Sequence, residues 1–270
     1  MKIKILSGVL SMLFISCGFG GKEKKETISV PDFRNKGHKL IYNMVQKVGD
    51  YDLLKAKNDV VYTYTYQTPD GKTDVSTEKY LFDEEYSYGA YKKHERTLPE
   101  LEGLIEQGYD GTDFWLRHNG EYLAGEDQMQ QVKFNRPTNF YWFTMMQKLL
   151  DKGINYDYLG EKMVDNKAYD IVKISFDFAK SKPTDIYQVY INKETGLIDQ
   201  FLFTVADFNV VERPYLMLLE YEKVDGILIP VTRKYKASTW DGELTDKPWI
   251  TVNWSDIKFN NGLEKDLFKK

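Results

Sequence analysis

Val60-Val61-Tyr62-Thr63-Tyr64-Thr65-Tyr66, then Pro69-Asp70-Gly71, then Val75 to Phe82: two runs of strand-favouring residues on either side of a turn. In an extended chain successive side chains point to opposite faces, so Tyr62, Tyr64 and Tyr66 line one face together. Pro, Asp and Gly supply the reversal. A connection this short makes the two runs antiparallel neighbours, because parallel pairing needs a crossover of a dozen or more residues.

The same grammar repeats to the end of the chain. Turns are expected at Asn119-Gly120, Asp165-Asn166, Thr195-Gly196, Asp225-Gly226 and Asp241-Gly242. Between them lie Tyr169 to Phe178, Ile186 to Ile191, Leu197 to Val205, Tyr215 to Tyr221, Ile227 to Tyr235 and Trp249 to Ile257. The reading is a single curved antiparallel sheet of about ten strands, a half-barrel, with no second domain and no repeat of fixed period. Alternation gives further apolar stripes: Val172, Ile174, Phe176 and Phe178, then Phe201, Phe203 and Val205.

Helices interrupt this pattern, which makes the class α+β. From Gly37 to Val48 the residues Ile41, Met44, Val45 and Val48 fall at i, i+3, i+4 and i+7, and Gly49 follows as a stop. Asn135 to Gly153 leaves the strand pattern, with Pro137 suited to an early helical position. Within it Trp142, Met145, Met146 and Leu149 make an inner face, and Thr144, Gln147, Lys148 and Asp151 an outer one. A shorter helical turn is expected at Leu98 to Glu106.

The first residues read as an export signal. Lys2 and Lys4 precede an apolar stretch from Ile5 to Ile15, too short to span a bilayer, and Ser16-Cys17-Gly18 offers small residues for cleavage. Leu13-Phe14-Ile15-Ser16-Cys17 resembles the bacterial lipobox. That resemblance implies cleavage after residue 16 and acylation of Cys17, the chain's one cysteine. Several acyl chains would anchor the protein stably to a membrane. Residues 17–30, rich in Gly, Lys and Glu, read as a flexible tether, and residues 31–270 as the folded domain. Gly18 is not the aspartate that commonly retains lipoproteins at the inner membrane, so the expected location is the cell envelope at the outer membrane.

Losing residues 1–16 removes two lysines and no acid, so the formal charge of −4 becomes −6. Such a balance argues against nucleic acid as a partner, since phosphate binding needs clustered Lys and Arg. His38, His94 and His118 are far apart in sequence, and no His-x-x-x-His pair, nucleophile elbow, phosphate loop or dinucleotide fingerprint occurs. No metal, cofactor or catalytic residue is therefore expected. Asp110, Asp113 and Glu121, bracketing Trp115, are the nearest thing to a glycosidase pair, although turn chemistry explains them equally well. What remains is apolar surface, in excess of what two or three short helices can cover.

The N-terminal helix, the meander and the inserted apolar helix together resemble the LolA/LolB-like lipoprotein-carrier superfamily, in its lipid-anchored outer-membrane branch. The segments that carry the likeness are Gly108-Tyr109-Asp110-Gly111 to Phe114-Trp115, Asn139 to Leu150, and Val252-Asn253 to Asn260 with Leu267-Phe268. The resemblance implies a half-barrel holding acyl chains without covalent chemistry, and Cys17 makes this chain more a receiver or sensor than a shuttle. The expected ligand is a lipid or the acyl chain of a lipoprotein. The expected lining is Tyr62, Tyr64, Trp142, Met145, Met146, Leu149, Phe176, Phe201 and Phe203. The rival expectations are a carbohydrate hydrolase and a structural lipoprotein whose concavity is filled by its own side chains.

Overall fold

Two meanders meet in one antiparallel sheet. The first runs outward through β1 (Asp59–Gln67), β2 (Thr73–Leu81), β3 (Tyr86–His94), β4 (Ile105–Tyr109), β5 (Phe114–His118) and β6 (Glu121–Leu123). The second runs back through β7 (Ile154–Val164), β8 (Lys167–Phe176), β9 (Ile186–Asn192), β10 (Ile198–Val205), β11 (Val210–Val224), β12 (Ile227–Ala237) and β13 (Ile250–Phe259). β13 pairs antiparallel with β1, from Val60 opposite Phe259 to Gln67 opposite Thr251, and joins the two halves. β6 and β7 are the free edges, so the sheet is open. The computed structural model describes residues 32–177 and 184–270. The expected signal peptide, Cys17, the tether and Phe178 lie outside the described residues.

The sheet has 13 strands, not about ten. The uncounted ones cluster in β3 to β7, where the alternation is diluted. Gly89 and Gly108 supply no side chain, and Lys92, Lys93, Glu106 and Arg117 interrupt the apolar phase. The helical turn expected at Leu98 to Glu106 is absent: residues 95–104 form bends and turns, and Ile105 opens β4. Pro99 and Gly103 account for that, since neither favours a helix interior. The expected two-residue turns do reverse the chain. Asp165-Asn166 and Asp225-Gly226 both sit at positive φ, as the tight hairpin turn that suits twisted strands requires.

Helix α1 (Lys36–Val48) starts at Asn35, whose side chain accepts from the His38 amide, and ends at Gly49 with φ 99°. It buries Ile41, Met44, Val45 and Val48, the expected stripe. A short α2 (Tyr51–Lys55) follows, capped by Asp50.

Helix α3 (Glu126–Lys148) begins nine residues before the expected boundary at Asn135, and Pro137 lies inside it. It is the chain's route from the β6 edge to the β7 edge. At 1.5 Å per residue it rises about 34 Å, well short of the roughly 58 Å that thirteen strands span when flat, which fits a sheet curling around it. α1, α2 and α3 cover one face, called here the inner face. There the apolar residues form three clusters, two large ones under the C-terminal half of α3 and a smaller one under its N-terminal half. The outer face has two smaller ones, around Tyr190 with Trp240 and Trp249, and around Trp115 with Phe268.

Candidate functional site

Every described residue of the expected lining lies on the inner face. Phe201, Phe203 and Phe176 on the sheet join Trp142, Met145 and Met146 of α3, and Leu149 at its C-terminal end, in one cluster. Tyr62 and Tyr64 join the other. Trp142 packs against both, with its ring 5.5 Å from Phe203 and 6.1 Å from Phe201. Phe143, one residue on, stacks between Tyr62 at 5.0 Å and Trp254 at 5.2 Å. Met145, Met146, Leu149, Tyr62, Phe201 and Phe203 are all buried, while Trp142, Tyr64 and Phe176 are half-buried.

The helix between them is buried on more than its apolar stripe. Thr144 and Gln147, expected on an outer face, are buried as well, and Lys148 is paired with Glu85 at 2.5 Å and Asp151 at 3.2 Å. α1 and α2 both pack alongside α3, which leaves little of its C-terminal half to solvent. Thr144 adapts by donating its hydroxyl to the Phe140 carbonyl at 3.0 Å. Two surface hollows, of about 490 Å³ by Lys92 to His94 and Pro99, and about 220 Å³ by Lys55, Asn58 and Glu84, contain none of the nine lining residues.

Buried charge is the feature that sequence reading missed. Glu78 and Arg136, both without solvent exposure, form an ion pair at 2.9 Å. Ser76 and Tyr80 donate to the Glu78 carboxylate, Arg136 donates to the Tyr91 hydroxyl at 2.8 Å, and Tyr80 shares a 2.9 Å hydrogen bond with Tyr62. Arg233 on β12 is also buried, stacked 3.7 Å over the Trp254 ring, and donates to the Trp142 carbonyl at 2.9 Å. Burial pushes its pKa down to about 10, with the nearby tyrosines opposing the fall, so it stays charged at neutral pH. The signal was present in the phase of each strand. Arg233 alternates with Ile229 and Val231, and Glu78 with Tyr80 and Phe82, on apolar faces.

The residues weighed for catalysis do not assemble. Trp115 is 2% exposed and donates its indole N–H to the Phe268 carbonyl, so its ring offers no platform to a sugar. Asp110 accepts from the amides of Thr112 and Asp113, a turn role. The histidines bridge backbone: His94 meets the carbonyls of Thr97 and Gly103, and His118 that of Glu102. His38 stacks on Tyr156 at 5.1 Å, and burial lowers its pKa. Among the described residues no cluster of three His, Cys, Asp or Glu could hold a metal ion. No described helix is long and apolar enough to cross a membrane.

Comparison with solved structures agrees with this architecture. An outer membrane lipoprotein-sorting protein domain from Vibrio parahaemolyticus superposes with a TM-score of 0.50 at 12% identity, covering 87% of this chain and 96% of that one. A LolA superfamily protein from Nitrosomonas europaea gives 0.49 at 12% identity, covering 87% and 97%. The fold is shared with that lipoprotein-sorting protein domain. The Mycobacterium tuberculosis lipoprotein LppX is more distant, with a TM-score of 0.36 at 10% identity over 84% of this chain and 98% of that one. These likenesses concern the fold alone. Residues 126–213, from the first residue of α3 into β11, match a family of unknown function (DUF6503). No curated protein matches the sequence.

Proposed function

We propose that this LolA-like protein binds an apolar ligand, a lipid or the acyl chain of a lipoprotein, on its inner face and does no covalent chemistry there. The observation that carries the reading is the make-up of that face. Phe201, Phe203, Tyr62 and Trp254 of the sheet oppose Trp142, Phe143, Met145 and Met146 of α3, all in the two large clusters. Methionine and aromatic side chains adapt their contacts to apolar partners of different shape. A ligand has to displace α3 side chains from this face, and Pro137 offers a place for the helix to give, since it lacks the amide that would bond one turn back. We further propose that acylated Cys17 tethers the domain to a cell-envelope membrane, with the outer membrane favoured.

The filling of the inner face by the protein's own residues supports a second reading, a structural lipoprotein with no ligand. Native mass spectrometry of the full chain, purified without added lipid, separates the two. The carrier reading expects an acyl lipid bound at about one per chain. Bare protein that also fails to take up a hydrophobic dye leaves the structural reading.

A further inference from the structure

Among the described residues two arginines are buried, and only one of them has a carboxylate there. Arg136 is matched by Glu78. Arg233 is 3% exposed and makes no ion pair among the described residues. It lies on β12 between Leu219 of β11 and Val252 of β13, one from each large inner-face cluster. The largest charge-related influences on it come from tyrosines, Tyr62, Tyr221, Tyr64 and Tyr80.

Its hydrogen bonding is incomplete. One terminal nitrogen donates to the Trp142 carbonyl, but Nε–H is buried without an acceptor. The indole N–H of Trp254, whose ring the guanidinium covers, is buried without an acceptor too. Both neighbours are therefore short of an acceptor, and one carries a full positive charge that arginine cannot shed. The Nε–H of Arg136 is likewise buried without an acceptor, but there Glu78 matches the charge. Buried charges are normally paired, and removing a partner from such a pair is strongly unfavourable. A water molecule would satisfy the donors and leave the charge unmatched. The group this place lacks is an anion. The surrounding residues are apolar and aromatic, which favours an anion carried on a hydrocarbon chain over a hydrated inorganic ion.

We propose that Arg233, with Trp254 beside it, binds the anionic head of an acyl-chain ligand, a carboxylate or a phosphate, whose tail lies along the inner face. The head takes over from the Trp142 carbonyl as the acceptor for Arg233, so binding and release of α3 are coupled through this side chain. This inference rests on the reading of the inner face as an apolar ligand site and specifies which ligands it takes.

The test is equilibrium binding of three probes with the same oleyl chain to the full protein: oleate, oleoyl lysophosphatidate and neutral oleyl alcohol. Either or both anionic probes should bind at least about tenfold tighter than the alcohol, as a charge-assisted contact implies. Tighter oleate would assign a free fatty acid, and tighter lysophosphatidate a lipid phosphate. In Arg233→Met that preference should vanish, and in Arg233→Lys it should survive in part. Because Arg233→Met removes an unmatched buried cation and keeps its bulk, it should fold at least as stably as the wild type. The wild-type comparison stands even if that variant fails to fold. Equal binding of all three probes to the wild type would overturn the anion site and leave the apolar site intact. Failure of all three to bind would overturn both.

Discussion

Gly89 has no side chain, and Arg136 uses the room: a Cβ there would overlap the guanidinium. That space lets Arg136 reach Glu78 across the inner face and closes the network of Ser76, Tyr80 and Tyr91 around the pair. Gly89→Ala should therefore cost about 1–3 kcal/mol in urea unfolding, as overpacking does. Glu78→Gln strands a buried cation and should cost about 3–5 kcal/mol, with much of the loss restored by adding Arg136→Met. A Glu78→Gln protein as stable as the wild type would mean the pair contributes nothing. At this scale the sequence was legible where burial and hydrophobicity coincide, as in Ile41, Phe201 and Met146. At Glu78 and Arg233 the strand phase points inward, but a charge on an apolar face carries no mark of the partner that compensates it.

The strands with clean period-two alternation, such as β1, β8, β10 and β12, were readable from sequence within one or two residues. Those relying on glycine and charged positions were not; β3, β4 and β5 are held by pairing on both sides, which no local pattern records. Helix α3 shows the same limit in another form. Its C-terminal stripe was visible, but residues 126–134 are mostly polar and present only Val132 and Met129 to the small cluster under β3 to β5. Nor could its buried Thr144 and Gln147 be told from a solvated face without knowing that α1 and α2 lie alongside. As part of a packed cluster, Met146 at 2% exposure should lose about 2–5 kcal/mol on substitution by alanine. If α3 also borders the ligand, the same variant should alter uptake of a hydrophobic dye. A stability loss with unaltered uptake would leave α3 as ordinary core.

Topology is the property of the whole molecule that sequence conveyed least. Short turns showed which strands are neighbours, but the pairing of β1 with β13 joins residues about 200 positions apart, and no local signal records it. The two-meander plan follows from it, and so does the role of α3 as the link between the free edges. The proposed envelope address belongs to this scale as well. Cys17→Ser should move the protein from the membrane fraction to the soluble envelope fraction, because residues 18–30 offer little apolar surface. Retention in the membrane fraction would mean that something other than acyl chains holds it. Whether the inner face takes an apolar ligand is decided by photo-crosslinking the full chain with a diazirine-bearing acyl probe and mapping the labelled peptides. Labels are expected on the peptides carrying residues 142–149 and 201–203, suppressed by excess unlabelled probe. Labels confined to the outer face, or insensitive to competition, would contradict it.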